Sequence, residues 1–440
     1  MGNMENSVKP HENKMGTMPM TRLILTMSLP AIFSMTIQAM YNVVDSIFIG
    51  NYDADGLTAT SLAYPLQMLL IAFAAGTAVG VNSFVSRKLG EKNFVQANDG
   101  ATHGFVTCIF NYVIFLLLGL FAVRPFMAMY TQNEAIVNYG IQYLTVVLCF
   151  SFFSIVQIMV EKTLQATGNM IFPMLSQLFG AIVNIIFDPL GIGIFPEMGV
   201  LGAAIATVFG QFCGMVFCLC ILFFKNNEVK VSFKHFKLNG STLKSIYVVG
   251  FPSVIMQSIG SVMIIGLNAI LAVSEAAVTV LGIYYKLQSF VFMPVFGLNQ
   301  GLMPIMGYNF GAKNKDRLHS AIRYGCIIAA FIMLCGTVIF WVFPAQILSL
   351  FNANDDILNM GIKAMRFISL SFLPAAIDII FSTTFQAVGK GFSSMILSLL
   401  RQLVFILPAA LVLSNFGVNA VWFAYPIAEV GALIVAIFLY

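Results

Sequence analysis

The chain has 440 residues, of which 59% are hydrophobic and only 9% are charged. Because a soluble domain carries roughly 25% charged residues, this composition excludes a soluble globular protein and predicts a polytopic membrane protein. The formal net charge of +4 comes from basic residues scattered among short connections, which argues against a nucleic-acid partner.

Apolar runs of about 20 residues recur along the chain, and this is the length that an α-helix needs to cross a bilayer. The strands of a membrane barrel are about half as long and alternate in polarity, so the runs predict helices. We expect an all-α protein with twelve transmembrane helices at residues 22–48, 57–84, 100–122, 138–160, 169–193, 201–224, 246–272, 277–307, 322–343, 361–384, 392–413 and 418–440.

The connections between these spans alternate in charge. One set is rich in Lys and Arg, as at residues 87–92 and 313–323, whereas the other set is acidic. The positive-inside rule therefore predicts an inner (plasma) membrane protein with both termini in the cytoplasm. The longest hydrophilic connection, at 225–244, is either an amphipathic surface helix or a solvated linker. It divides the chain into a tail, an N-lobe, a linker and a C-lobe, at residues 1–21, 22–224, 225–245 and 246–440.

A carboxylate lies deep in the first predicted span, at Asp45. Gln38, Tyr41 and Asn42 precede it by seven, four and three residues, so these side chains share roughly one helical face with it. A charge at the centre of a bilayer costs about 2.5–3.5 kcal/mol by insertion scales, which makes such a residue a functional candidate. Pro30 removes a helix hydrogen bond two turns before Gln38 and predicts a bend.

A second deep acid lies in the fifth predicted span, at Asp188. Asn184 precedes it by four residues and therefore shares its helical face. Pro189 follows at once and cannot donate a backbone hydrogen bond, so the carbonyl of Ile185 loses its partner. Amide, carboxylate and carbonyl oxygens then lie together, and all of them can bind a proton or a small cation.

The two halves of the chain repeat each other at a constant interval. The pattern Gly-x-x-x-Gly at 76–80 recurs at 297–301, and the segment 163–168 recurs at 384–389, the same distance further along the chain. Each half holds six predicted spans, an even number, so the two repeats enter the membrane in the same direction. Two parallel six-helix repeats around a central cavity are typical of alternating-access transport. The alternative is a duplicated structural protein without transport activity.

The C-terminal half lacks a pair of acids equivalent to Asp45 and Asp188, and Asp378 in the tenth span is its one clear deep acid. Because an unpaired buried charge is costly, we expect Asp378 to pair with Lys286 or Arg401.

Other ionisable residues lie nearer to predicted helix ends or interfaces. Glu429 is placed in the last span, at a depth that the pattern leaves open between buried and interfacial. Glu161 and Lys162 lie near a predicted helix end, where a lysine extends to the interface. His103 lies at the cytoplasmic start of the third span and is interpreted as an interface residue rather than a proton relay.

Four segments of the chain resemble the multidrug and toxic compound extrusion (MATE) family of transporters. They are 41–50 (YNVVDSIFIG), 165–168 with Pro173, 184–189 and 199–207. The resemblance covers nearly the whole chain and is strongest to the MepA/DinF-like prokaryotic branch, because the acidic pair lies in the N-terminal half. It implies export of bulky, mostly cationic or amphipathic compounds, driven by inward movement of H⁺ or Na⁺.

The resemblance also implies roles for individual residues. The family's N-lobe cation site, for H⁺ or Na⁺, matches Asp45, Asn184, Asp188 and Thr207. Further candidates for lining the cavity are Gln38, Tyr41, Asn42, Tyr143, Asp378 and Lys286. Other branches of the family place a coupling carboxylate near Asp378. The expected hinges are Pro30 and Pro189. Two carboxylates in a dry pocket cannot both remain charged cheaply, so the pair would respond to H⁺ or Na⁺.

The main alternative is a lipid-linked saccharide flippase of the same superfamily, for which we would expect about fourteen spans and a cavity rich in basic residues. A membrane enzyme is not expected, because the chain contains no His-Glu-x-x-His, Gly-x-Ser-x-Gly or phosphate-loop motif. We therefore expect a monomeric efflux antiporter in the lipid bilayer, with drugs and organic cations as partners and no cofactor.

Overall fold

The computed structural model describes residues 13–52, 54–189, 199–226, 228–234, 236–349 and 355–440. At residues 39–52, 54, 57, 188 and 189 it describes the backbone alone. Within these ranges the chain forms helices and no strands. The N-terminal half contains α1 (Lys14–Thr17), α2 (Met20–Tyr52), α3 (Ala54–Gly90), α4 (Phe94–Phe121), α5 (Val123–Ala128), α6 (Glu134–Cys149), α7 (Phe152–Ala166), α8 (Ile171–Pro189) and α9 (Gly199–Phe224).

The C-terminal half has the same order of long and short helices. It contains α10 (Gly240–Leu271), α11 (Glu275–Gly311), α12 (Lys315–Val342), α13 (Pro344–Ser349), α14 (Asp355–Ser369), α15 (Phe372–Ala387), α16 (Gly391–Leu399), a π-helical segment (Leu400–Phe405), α17 (Ile406–Ser414), α18 (Val418–Val421) and α19 (Ala424–Leu439). The π-helical segment has no counterpart in α8, which remains α-helical at the equivalent position.

The helices match the predicted spans. In the described part of the chain, nine helical segments are long and apolar enough to cross a bilayer. Two bent pairs, α6 with α7 and α14 with α15, can each form one further span. The shorter apolar helix Ile171–Phe187 falls at the fifth predicted position. Together these segments cover all twelve predicted spans, so the predicted all-α membrane architecture is confirmed.

Two predicted spans are broken rather than continuous. The axes of α6 and α7 meet at 47°, and those of α14 and α15 also meet at 47°. In the second pair Pro374 lies in the first turn of α15 and cannot donate to the carbonyl of Leu370, which is compatible with a break there. The first pair has no proline at the break, so the sequence pattern alone predicts one continuous helix.

Backbone details repeat at the same interval as the sequence. Lys92 and Lys313 have positive φ values of 57° and 56°, and Gly168 and Gly389 both have φ of 88°. The members of each pair are separated by the same interval as the two Gly-x-x-x-Gly patterns, so the predicted duplication extends to the conformation of individual turns. This confirms two parallel repeats.

The two halves cross each other through the repeated glycines. A Cβ atom at Gly76 in α3 would lie 2.5 Å from Val254 Cγ2 in α10, and one at Gly297 in α11 would lie 2.6 Å from Ile32 Cα in α2. Gly90 lies against the carbonyl of Tyr308, at the end of the bundle where α3 and α11 finish. These close approaches leave no room for a side chain and therefore require glycine.

Candidate functional site

Each half of the chain contains a cavity. On α3 and α11 the lining residues come before the repeated glycines in the sequence. The N-lobe cavity has a volume of about 180 Å³ and lies among α2, α3, α6, α7, α8 and α9. Among the described side chains, amide and hydroxyl groups line it together with one carboxyl group. Its polar lining consists of Gln38, Gln67, Ser154, Gln157, Glu161, Gln177, Asn184, Thr207 and Gln211.

Two of the four residues of the predicted cation site meet in this cavity. Asn184 on α8 and Thr207 on α9 are 1% and 4% exposed. Asn184 Nδ2 donates a hydrogen bond to Thr207 Oγ1 over 3.3 Å. The contact joins neighbouring helices and presents an amide and a hydroxyl group to the cavity.

The other two residues of that site lie on packed helices. Asp45 is within α2 and Asp188 is in the last turn of α8, and these two helices pack against each other. Their side chains lie outside the described residues, as do those of Tyr41, Asn42 and Pro189.

The remaining N-lobe candidates differ in position. Gln38 lines the cavity. Tyr143 is 3% exposed and accepts a hydrogen bond from Gln67 Nε2 over 3.1 Å, so it supports a lining residue from behind. The helix α2 continues through Pro30 without interruption.

The sequence interpretation missed Glu161. Its side chain is 4% exposed and lines the N-lobe cavity from α7. Gln157 Nε2 donates to Glu161 Oε1 over 3.1 Å, and Gln177 Nε2 donates to Glu161 Oε2 over 2.8 Å. Within the described residues no basic nitrogen lies within 4.0 Å of this carboxyl group, so two amides supply its polar partners.

The neighbouring Lys162 forms its hydrogen bonds elsewhere. Its Nζ donates to Gln165 Oε1 over 3.0 Å and to Gln300 Oε1, in the C-terminal half, over 2.9 Å. The lysine thus bonds across the two halves instead of extending to the membrane interface as expected. The one local signal in the sequence was Gln157, one turn before Glu161 on the same helix, whereas the contact with Gln177 on α8 arises only from packing.

The C-lobe cavity has a volume of about 330 Å³ and a more aromatic lining. Charged side chains from the π-helical segment and from α19 also reach it. The lining includes Tyr284, Tyr285, Gln288, Phe292, Phe296, Arg401, Gln402, Tyr425 and Glu429. The hydroxyl groups of Tyr285 and Tyr425 are 2.8 Å apart, which closes one side of the cavity.

Three ionisable side chains meet beside the C-lobe cavity. Arg401 Nε lies 3.7 Å from Glu429 Oε1, and the carboxyl groups of Glu429 and Asp378 are close neighbours. Asp378 is 1% exposed. The expected ion pair of Asp378 is not found among the described residues, because Arg401 pairs with Glu429 instead and Lys286 is exposed and lines neither cavity. The structure therefore also places Glu429, whose depth the sequence left open, in a half-buried ion pair.

The combination of two crossed helical repeats, each with a polar cavity inside a membrane bundle, defines a membrane transporter. The family model named MatE matches residues 30–190 and 251–412, one match in each repeat. The chain therefore belongs to the MATE family, as its sequence motifs indicated.

Similar proteins cover nearly the same length. The "Multidrug export protein MepA" of Staphylococcus haemolyticus is 26% identical over 95% of this chain and 92% of its own length. The "FAD transporter" of Shewanella oneidensis is 25% identical over 93% of this chain and 92% of its own length.

Solved structures are similar along the whole fold. One is titled "Outward-facing conformation of a multidrug resistance MATE family transporter of the MOP superfamily", with a TM-score of 0.90, 26% identity and coverage of 97% of this chain and 96% of the other. A transporter of this superfamily from Pyrococcus furiosus, titled for the "reverse polarity" of its binding pocket, has the same TM-score, identity and coverage.

Proposed function

We propose that the protein is a multidrug efflux antiporter, which exports cationic and amphipathic compounds in exchange for H⁺ or Na⁺. The observation that carries this proposal is the pair of lobe cavities, one in each repeat and each lined by a carboxyl group that is buried at Glu161 and half-buried at Glu429. Alternating access needs two bodies that can part at one end while they close at the other. The MepA relatives, which are named as multidrug export proteins, support the same cargo class.

Ion coupling is proposed for the N-lobe cation site. The pair formed by Asn184 and Thr207 supports it, because their polar groups lie where α8, α9 and the cavity meet. Asp45 and Asp188 on the packed helices α2 and α8 would supply the carboxylates. Uptake of H⁺ or Na⁺ would neutralise them, change the packing of α2, α8 and α9 and weaken drug binding. Drug and ion then favour different states of the protein, as antiport requires.

The direction of transport follows from the proposed topology. Basic connections at residues 87–92 and 313–323 place the crossed end of the bundle in the cytoplasm by the positive-inside rule. Both termini would then be cytoplasmic, in the inner (plasma) membrane. We further propose a monomer that works in the bilayer without a cofactor, since each chain contains both lobes.

A lipid-linked pyrophosphate is a less favourable cargo. Such a cargo needs several bases in the cavity, whereas the described linings of both cavities contain one base, Arg401. The one ionisable side chain in the described lining of the N-lobe cavity is instead the acid Glu161, whose carboxyl oxygens suit an organic cation better than a pyrophosphate.

The test is transport of a cationic dye by purified protein in liposomes, under a pH gradient and separately under a Na⁺ gradient. We expect dye movement against its own gradient under at least one of the two ion gradients. Dye movement that is equal with and without both gradients would overturn the antiport proposal. Binding of lipid-linked pyrophosphate with no binding of the dye would favour the flippase instead.

A further inference from the structure

Residues 13–18, which we call the N-strap, join the two lobes at their crossed end. On one side, Asn13 Nδ2 donates to the carbonyl of Thr167 over 3.0 Å, in the turn that follows α7. On the other side, Arg317 Nη2 donates to the carbonyls of Met15 and Met18, over 3.0 and 2.8 Å. The side chain of Met15 is 0% exposed, so the strap is anchored by apolar packing as well as by polar bonds.

A second C-lobe residue, Asn309, fixes the position of the Arg317 guanidinium group. Asn309 Nδ2 donates to the carbonyl of Met15 over 3.1 Å, and Asn309 Oδ1 accepts from Arg317 Nε over 3.2 Å. Gly16 lies against the ring of Tyr308, where a Cβ would be 3.1 Å from Cε1. The N-strap thus precedes α2 of the N-lobe but is bonded to the junction of α11 and α12 in the C-lobe.

The linker forms an equivalent strap, which precedes the C-lobe and bonds to the N-lobe. Its described residues between 225 and 239, which we call the linker strap, form no helix and pack on the start of α4. The backbone N–H of Lys230 donates to Asn98 Oδ1 over 2.7 Å, and that of Asn239 donates to His103 Nε2 over 2.9 Å. His103 is 0% exposed, because the linker strap covers it.

The ring of His103 is held on both sides. Its Nδ1 lies 2.8 Å from the carbonyl of Asp99, and its ring centre lies 4.7 Å from that of Phe236 in the linker strap. Since Nε2 accepts from Asn239, the proton of the neutral ring belongs on Nδ1. Thr242, at the start of α10, also donates to Asp99 Oδ2 over 2.9 Å. The linker strap therefore ties α10, the first helix of the C-lobe, to α4 in the N-lobe.

The two straps follow the symmetry of the repeat. The N-strap precedes α2 and packs on the start of α12, while the linker strap precedes α10 and packs on the start of α4. Phe94, the first residue of α4, and Lys315, the first residue of α12, occupy equivalent positions in the two repeats. Each strap therefore bonds the entry of one lobe to the equivalent helix of the other lobe.

We propose that the two straps are latches that hold the crossed end of the transporter shut, and that both must release before the lobes part there. Arg317 and His103 are the positioning residues of the two latches. This inference rests on the proposed alternating access, since a protein with fixed lobes needs no latch. Hydrogen bonds to charged groups are stronger than those between neutral groups, so loss of the Arg317 contacts should increase the ratio of parted to closed molecules by roughly tenfold or more.

The test measures the distance between the lobes directly. Spin labels are attached to Val95→Cys and Lys315→Cys, both exposed and one in each lobe, after replacement of the seven native cysteines. Pulsed electron resonance on protein in lipid nanodiscs gives the distribution of distances. We expect Arg317→Gln and His103→Ala each to add a longer distance to the short one seen without them.

The matched controls are exposed residues of α12, the helix that carries Arg317. Arg323→Gln removes a charge from an exposed site on α12, and His319→Ala removes an exposed imidazole from the same helix. Both should leave the distances unchanged. If Arg317→Gln does not fold, Asn13→Ala tests the same strap, because it removes the hydrogen bond to the Thr167 carbonyl together with the one that Asn13 Oδ1 accepts from the Met15 N–H. Unchanged distances in the folded variants of both straps would overturn the proposal. Shifted distances in a protein that moves no substrate would keep the latches and reject the efflux function.

Discussion

Gln157 and Asp378 occupy equivalent positions in the two repeats, and each faces a glutamate. Gln157 donates to Glu161 within the N-lobe, whereas Asp378 is close to the carboxyl group of Glu429 within the C-lobe. An amide can donate a hydrogen bond to a neighbouring glutamate, whereas a second carboxyl group cannot neutralise one. The glutamate beside Asp378 therefore needs a positively charged partner. The described N-lobe network holds its glutamate with amides, while the C-lobe cluster includes Arg401 as a counter-ion.

Neutralising the proposed N-lobe acids should uncouple transport. We expect Asp45→Asn and Asp188→Asn each to lower ion-driven dye efflux from liposomes by about 5–150-fold, the range of typical coupling free energies. Asp356→Asn, at an exposed position in the C-terminal half, is the matched control and should have no effect. Wild-type efflux in both N-lobe variants would remove these acids from the coupling mechanism.

Replacing Glu161 by glutamine should destabilise the N-lobe. Both carboxyl oxygens accept amide hydrogens, so Glu161→Gln turns one acceptor into a donor that faces another donor. We expect the free energy of unfolding to fall by about 1–3 kcal/mol, the cost of an unsatisfied buried polar group. Thermal unfolding in detergent measures the change, with the exposed Glu134→Gln as control. An increase in melting temperature would contradict the carboxylate network.

Replacing Arg401 alone should lower the free energy of unfolding more than replacing Arg401 and Glu429 together. Arg401→Met leaves Glu429 and Asp378 without their positive neighbour, and the loss of about 3–5 kcal/mol that follows when a fully buried ion pair is broken is the upper limit for this half-buried pair. The double variant Arg401→Met with Glu429→Met should recover a large part of that loss. Thermal unfolding of the two single variants and the double variant gives the coupling energy. Additive losses would mean that Arg401 and Glu429 do not interact.

A side chain at the repeated glycines should keep the lobes from meeting. At Gly297 a new Cβ would lie 2.6 Å from the backbone of Ile32, so Gly297→Val must push α11 away from α2. We expect efflux to fall and the melting temperature to drop, with overpacking costing about 1–3 kcal/mol. Gly282→Val on the same helix meets nothing within 4 Å and serves as the control. Equal activity of both variants would contradict the observed crossing.

Features that depend on local pattern were predictable from the sequence. Apolar runs indicated the twelve spans, and the constant interval indicated the two repeats down to the paired turns at Lys92 and Lys313. Asn184 and Thr207, assigned together through the family resemblance, do form a hydrogen bond.

Features that depend on contacts distant in the chain were not predictable. The position of Glu161 near a helix end suggested an interface, because nothing local shows that Gln177 on another helix will bond to it. The break before α7 lacks a proline, and the contacts of the N-strap join residues about 300 positions apart. Periodicity describes one helix at a time, whereas these features arise from packing between helices.

Glycine at the crossings has a mechanical consequence. Where Gly76 meets Val254 and Gly297 meets Ile32, backbone from one lobe lies against the other with no side chain of its own to interlock. The surfaces can slide or separate without first rearranging rotamers on the glycine side. We therefore expect low friction at this joint, so that under the proposed alternating access the discrete polar bonds around it, rather than the glycine contacts, would set the rate at which the lobes part.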